Sequence, residues 1–311
     1  MKDSRFSPLS VILNTFFICV IVYFIEYKFL YSKIVLLFGS MIVSTVFTIF
    51  AVFFALRVLR VNPFQIGFIK NPAKITVGAI VPTVILGICA LITLFAIKHF
   101  IYAHGFSLEI SFRISTSKLE TNTTVISYII SILVAAISAF MLESLLRGLI
   151  LRVATEHFGF CIANILNVTL TITWHMLIYI FSIIFTNMST STFLISILFT
   201  CIIYGTSSAR KSLYVWATQS IWHCIFDCFI SLFVIRNVVL TVNLPIDFIP
   251  SNTLEKILVF LTSNSVNSNY LTIAFICAVN ILSLIVMIIY YQLLKTRALK
   301  KYIKQMKEND L

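Results

Sequence analysis

Five ionisable residues lie inside otherwise apolar stretches of this 311-residue chain, and they are the residues most able to do chemistry: Glu143, Arg147, His175, His223 and Asp227. A charged group at bilayer depth costs at least about 2.5 kcal/mol and usually survives where it has a function. Three separate apolar segments carry these residues. We therefore expect the three segments to pack together, so that their polar side chains form one shared site.

Helical spacing groups four of these side chains into pairs. Glu143 and Arg147 are four residues apart, so they share one helix face and can form an ion pair. His223 and Asp227 repeat this spacing. Carboxylates, imidazoles and an arginine can activate water against an amide, because they supply a base, an acid and donors for the oxyanion. The same groups would suit a proton relay in a transporter, and the first pair alone could be purely structural.

A metal centre is a further alternative at three of these residues. His175, His223 and Asp227 have the side chains that bind zinc or another divalent metal. Cys224 and Cys228 repeat the four-residue spacing, but none of the seven cysteines has the CxxC pattern of a metal cluster. The cysteines are therefore interpreted as small apolar core residues, and no cofactor is required by the sequence.

The composition indicates the elements that position this site. The chain is 60% hydrophobic and only 11% charged, whereas a soluble domain is about 25% charged. We therefore expect an all-α, polytopic membrane bundle of about eight transmembrane helices. The predicted spans are approximately 8–26, 34–56, 75–97, 124–147, 160–185, 193–209, 213–235 and 270–294.

Basic residues indicate a membrane orientation rather than a nucleic-acid partner. The net charge is +12, but Lys and Arg cluster at span ends and in the tail from Lys295 to Lys307. Placing both termini in the cytoplasm gives fifteen basic residues inside, including Arg210 and Lys211 in a connector, against seven outside. The abundance of Phe, Ile, Asn and Lys is typical of an AT-rich bacterial genome. We therefore expect a multi-pass protein of the bacterial cell membrane, in contact with the lipid bilayer.

Three motifs in order resemble those of the CPBP family, the CAAX-protease and bacteriocin-processing (Abi-type) membrane proteins. That family shows EExxxR, then FxxxH, then HxxxN or HxxxD. The matching residues are Leu142-Glu143-Ser144-Leu145-Leu146-Arg147-Gly148, His175, and Ser220 to Asp227. The resemblance covers residues 120–235, which we expect to form a core between N-terminal helices in 1–119 and an outer loop, last helix and basic tail in 236–311.

The resemblance implies a glutamate-type intramembrane endopeptidase that cleaves a peptide or lipoprotein. In the family, the first Glu and the first His activate water, and the second His and the final Asn or Asp stabilise the oxyanion. Glu143 matches the second Glu and Arg147 the arginine of the first motif. His175 matches the first His, His223 the second, and Asp227 the final position.

The chain departs from the family pattern at two positions. Leu142 replaces the first Glu, and Thr171 replaces the Phe of the middle motif. Neighbouring helix residues point about 100° apart, so Glu143 can replace a Glu at 142 only if the helix rotates or unwinds. Two interpretations follow. The first is an endopeptidase with shifted chemistry.

The second is a catalytically silent relative, a pseudoenzyme that acts by binding a membrane-protein or peptide partner. Its role would be that of a bacteriocin-immunity protein, a regulator or an envelope scaffold. A proton-coupled transporter ranks below both, because the chain has no doubled pattern of broken helices.

Overall fold

Helices form nearly all of the part of the chain that the computed structural model describes, which is residues 7–30, 42–68, 71–112, 125–185, 190–243, 256 and 270–309. The expected helical fold class is confirmed. The helices are α1 (Pro8–Leu30), α2 (Ile42–Val58), α3 (Pro72–Ala103), α4 (Val125–Glu143), α5 (Arg152–Phe185), α6 (Thr190–Thr218), α7 (Trp222–Phe233) and α8 (Tyr270–Asn309). The boundary expected near residue 119 falls outside these residues.

A small antiparallel sheet of two strands connects distant parts of the chain. Its strands are β1 (Ser107–Phe112) and β2 (Val238–Asn243), which pair along their full lengths. The backbone N–H of Leu240 donates to the Thr272 hydroxyl at 2.9 Å, which ties the sheet to the first turn of α8. Leu240 is buried in an apolar cluster with residues of α3 and α8. The sheet therefore joins the chain segments that follow α3 and α7.

Within the described ranges, four helical segments are long and apolar enough to cross a membrane: Pro8–Glu26, Pro72–Ala103, Ile132–Leu177 and Tyr270–Leu293. They mark the chain as a membrane protein. The expected total of eight transmembrane helices is not supported. The predicted span 34–56 begins outside the described residues, and the remaining helices are shorter or more polar than a spanning helix requires.

Continuity across residues 144–151 accounts for one of the missing spans. The polar residues from Arg152 to His157 predicted a connector between two spans. Instead α4, a π-helical segment at Ser144–Leu151 and α5 follow one another, and the apolar stretch Ile132–Leu177 is 46 residues long. Within α5, two helical pieces meet at Gly159, whose φ of 76° is left-handed. This break lies one residue before the predicted span 160–185, so the start of that span is placed correctly.

Large apolar side chains on the outer surface indicate where lipid would lie. Phe50 and Phe54 on α2 are 70% and 71% exposed, and Leu91 and Phe95 on α3 are 68% and 74% exposed. Exposed apolar surface of this extent would be an aggregation liability in water. Lipid tails are as apolar as leucine, so these faces are compatible with a hydrocarbon environment.

The π-helical segment is the unusual local structure of the fold. Ser144–Leu151 is buried throughout and begins directly after Glu143. A π turn is wider than an α turn, is rare, and occurs frequently at functional sites. The segment begins after Glu143, so it changes the direction of the residues from Ser144 onward and not that of Glu143 relative to Leu142.

A glycine pair on α3 tests the contact between α3 and α7. A Cβ at Gly78 would lie 3.0 Å from the Cβ of Trp222 and 3.3 Å from the backbone N of His223, whereas a Cβ at Gly87 would meet nothing within 4 Å. We expect Gly78→Ala to destabilise the protein by about 1–3 kcal/mol. Gly87→Ala should be neutral or stabilising by up to about 1 kcal/mol. Thermal unfolding in detergent measures both, and equal stability of the two variants would show that α3 and α7 do not touch here.

Candidate functional site

Two adjacent cations lie in the interior of α6. Arg210 and Lys211 are 0% and 5% exposed. The sequence analysis placed both in a cytoplasmic connector, but α6 continues through them to Thr218, so the chain makes no turn at these residues.

Arg210 forms a bidentate ion pair with Asp227. Its Nε donates to Oδ2 at 2.9 Å and its Nη2 to Oδ1 at 2.8 Å. Its Nη1 donates to Asn280 Oδ1 at 3.0 Å and also to the Ser283 hydroxyl. All four residues are buried. Arg210 therefore links α6 to both α7 and α8, and it occupies both oxygens of Asp227.

Lys211 extends these contacts to the residues of the first motif. Its Nζ donates to Glu143 Oε1 at 2.9 Å and lies 3.8 Å from Asp227 Oδ1. Arg147 Nε lies 3.3 Å from Glu143 Oε2, so the ion pair expected from the four-residue spacing is present. We call Glu143, Arg147, Arg210, Lys211 and Asp227 the charge network; its three cations and two carboxylates give a net charge of +1.

A cavity of about 40 Å³ lies beside the charge network. One water needs roughly 10–15 Å³ of such space, so the cavity has room for about three waters. Leu142 and Leu146 contribute to its apolar wall. Its polar lining consists of Glu143, Arg147, His175, Tyr204, Ser207, Lys211, Ser231 and Asn280. The cavity is therefore a hydratable space inside an apolar bundle.

His175 reaches this cavity from α5. Its ring stacks on the ring of Tyr204, with 3.4 Å between centroids and 10° between planes. One turn earlier, Thr171 bonds to the Ser208 hydroxyl at 3.1 Å, and Asn167 donates to Ser208 at 3.2 Å. Hydrogen bonds of this kind hold membrane helices together. Thr171 thus helps to fix α5 against α6 next to His175.

His223 lies on the other side of the charge network. Its ring is 5.8 Å from that of Tyr214, whereas His175 contacts Tyr204. Ten residues of α6 separate the two tyrosines, which is about 15 Å along the helix axis. His223 is 3% exposed, and neither ring nitrogen has a hydrogen-bond partner in the described structure. The structure brings Glu143, Arg147 and His175 to one cavity, but it does not bring His223 or Asp227 to the lining.

A zinc ion does not fit the three residues considered for it. Both oxygens of Asp227 accept hydrogen bonds from Arg210, and His175 and His223 lie on opposite sides of the charge network. Across the described ranges, no group of three or more His, Cys, Asp or Glu side chains is placed to hold a metal ion. The surplus of positive charge around the cavity also disfavours a cation.

Leu142 lies at the cavity next to Glu143. Leu142 and Glu143 both contribute to the lining, although adjacent residues of a regular α-helix point about 100° apart. Both residues lie in the last turn of α4, before the π-helical segment begins at Ser144. Because both line the cavity, positions 142 and 143 have access to the same space.

Sequence reasoning missed several residues of the site. Arg210 and Lys211 carried a usable signal, because no Gly or Pro interrupts residues 206–219 and a turn there was not required. Asn280 and Ser283 are polar residues in the otherwise apolar last span, spaced to share a helix face. Tyr204 carried no signal that distinguishes it from other aromatic residues of the bundle.

Comparison with known proteins leaves the geometry as the basis for assigning function. No family model, curated protein or solved structure matches the chain. Its helices are those of a membrane protein, and its buried polar groups converge on a charge network next to a hydratable cavity.

Proposed function

We propose that this protein is a CPBP-type, glutamate-dependent intramembrane endopeptidase that hydrolyses a peptide or lipoprotein within the bilayer. One observation carries the proposal: Glu143 and His175, which belong to different helices and are 32 residues apart, line the same cavity. A carboxylate base and an imidazole beside space for water are the minimum that amide hydrolysis needs.

The proposed reaction starts with a water in the cavity. Glu143 Oε2 accepts no hydrogen bond in the described structure, so a lone pair is available to take a proton from this water. The water oxygen attacks the carbonyl carbon of the scissile amide. The proton then passes by way of Glu143 or His175 to the leaving nitrogen as the C–N bond breaks, which yields a carboxylic acid and an amine. Transfer of the acid proton to the amine leaves a carboxylate and an ammonium group.

Cations at the cavity would stabilise the oxyanion formed by this attack. The family resemblance implies His223 and Asp227 for that role, but neither lines the cavity. Lys211 and Arg147 do line it, and their N–H groups are donors of the required kind. In this proposal they replace the second histidine and the final acidic residue.

A second candidate function is binding without catalysis. Leu142 stands where the family has its first Glu, and cations hold both carboxylates of the charge network. A network of this kind can serve to specify how helices pack. Such a silent member would act as a bacteriocin-immunity, regulatory or envelope scaffold protein by holding a membrane-protein or peptide partner.

The proposed setting is the bacterial cell membrane, with both termini in the cytoplasm. The basic residues next to both ends of the chain support this orientation, namely Lys2, Arg5 and those of the tail from Lys295 to Lys307. The partners proposed are the lipid bilayer and a peptide or membrane-protein substrate.

The variant His175→Ala tests hydrolysis in cells. Quantitative proteomics of protein N-termini compares membranes from cells that express the wild type, His175→Ala or His99→Ala. Loss of a general acid–base group should lower the wild-type-dependent new termini by about 10²–10⁴-fold. His99 is exposed on α3 and does not line the cavity, so its variant should match the wild type.

Two results would replace the proposal with the binding function. The first is unchanged cleavage in the His175→Ala variant. The second is the absence of any new N-terminus that depends on the wild-type protein.

A further inference from the structure

Arg147 is a buried cation whose hydrogen-bonding capacity is unused. It is 1% exposed, and within the described residues its one close polar contact is the 3.3 Å approach of Nε to Glu143 Oε2. It donates no hydrogen bond to any residue in the described ranges. A guanidinium has five N–H donors, and leaving charged donors unsatisfied in an apolar interior is energetically costly. Since Arg147 lines the cavity, a ligand there can reach these donors.

The surplus positive charge of the charge network lies at the same place. Arg210 is neutralised by Asp227 and does not line the cavity. Arg147 and Lys211 do line it, and they share the single carboxylate of Glu143. An uncompensated charge is expensive in a low-dielectric interior, so an anion in the cavity would be stabilised by both cations.

The size of the cavity and its wall restrict the anion. A volume of about 40 Å³ suits a group that displaces two or three waters. A carboxylate has three heavy atoms and matches the planar fork of arginine, whereas a phosphate has five heavy atoms. Leu142, Leu146 and Ile276 form part of the wall, so the group attached to the carboxylate would be apolar.

We propose that this cavity is a receptor for the carboxylate of an apolar, membrane-dissolved molecule, held by Arg147 and Lys211. The inference goes beyond the proposed function, because binding requires no bond cleavage. It also suits that function, since amide hydrolysis at Glu143 would release a carboxylate into this space. A peptide with an apolar C-terminus and a fatty acid share the required chemistry.

Binding of matched acids and amides to the purified full-length protein in nanodiscs tests the inference. The probes are N-acetyl-leucyl-leucine and its C-terminal amide, and dodecanoic acid and dodecanamide, measured by calorimetry at pH 8. A charge-assisted hydrogen bond is worth about 1.5–3 kcal/mol, so at least one acid should bind about 10- to 100-fold more tightly than its amide. A preference for N-acetyl-leucyl-leucine over its amide would identify a peptide as the source of the carboxylate. A preference for dodecanoic acid over dodecanamide would identify an acyl chain.

Two arginine variants locate the bound carboxylate. Arg147→Lys keeps the charge but loses the planar fork, and it should weaken binding of the responding acid by about tenfold or more. Arg152→Lys is the matched control, because Arg152 lies outside the cavity lining and bonds to Gln219. Thermal unfolding confirms that both variants are folded.

Equal affinity for acid and amide in both arms would overturn the inference, and this comparison needs no variant. Full binding of the acid by folded Arg147→Lys would also overturn it. Carboxylate binding by a protein that cleaves nothing would refute hydrolysis but keep the receptor. Cleavage without a preference for acids would support hydrolysis but refute the carboxylate receptor.

Discussion

Replacing Arg210 with methionine is expected to destabilise the protein by about 3–5 kcal/mol. Asp227 is 0% exposed, and Arg210 supplies the hydrogen bonds to both of its oxygens. Removing one partner of a buried ion pair leaves an uncompensated charge, which is the costly event. Lys211 Nζ lies 3.8 Å away and is already bonded to Glu143, so it compensates only in part. Thermal or denaturant-induced unfolding in detergent measures the loss.

The double variant Arg210→Met/Asp227→Leu separates loss of charge balance from loss of packing. Removing both members of a buried pair is often nearly neutral, so we expect it to recover most of the stability lost in Arg210→Met. Arg152→Met is a control for loss of an arginine outside the charge network. A cost of less than about 1 kcal/mol for Arg210→Met would contradict the buried pair, because exposed ion pairs contribute about that much or less.

Replacing Glu143 with glutamine is expected to lower peptide cleavage by about 10²–10⁴-fold, because the variant lacks a general base. We expect Leu142→Glu/Glu143→Gln to recover part of the activity. Positions 142 and 143 both line the cavity, so a carboxylate at 142 can reach the same water. Cleavage of the substrate identified by N-terminal proteomics, measured with reconstituted protein, checks both variants.

Glu109→Gln is the matched control for this exchange. It makes the same chemical change at an exposed residue of β1 and should leave cleavage unchanged. Full activity of Glu143→Gln would remove Glu143 from the reaction. If Leu142→Glu alone creates cleavage where the wild type shows none, the natural chain is a silenced enzyme, and the binding function is the correct one.

The arginine-containing pairs show what local geometry decides. Glu143 and Arg147 meet because four residues of a helix bring two side chains to one face, whatever surrounds them. Arg210 and Asp227 meet although they belong to α6 and α7 and are separated by a turn. The sequence analysis paired Asp227 with His223 instead, because the four-residue spacing was the one relation visible in the chain.

The positions of the two histidines depended on helix packing. Each falls in an apolar stretch, which made both candidates for one site. The packing of α5 and α7 against α6 decides which tyrosine each ring contacts, and the two tyrosines are about 15 Å apart along the axis of α6. The spacing of residues within one helix cannot reveal where neighbouring helices lie along its axis.

Composition and periodic spacing alone determined that this is a helical membrane protein with buried ionisable residues, because hydropathy and helix geometry are properties of adjacent residues. The tertiary structure decided that α4 and α5 join through a π-helical segment, and that Lys211 rather than His223 faces Glu143. These outcomes depend on contacts between residues as far apart as Lys211 and Glu143. The free energy of such contacts comes from the packed bundle rather than from the local chain.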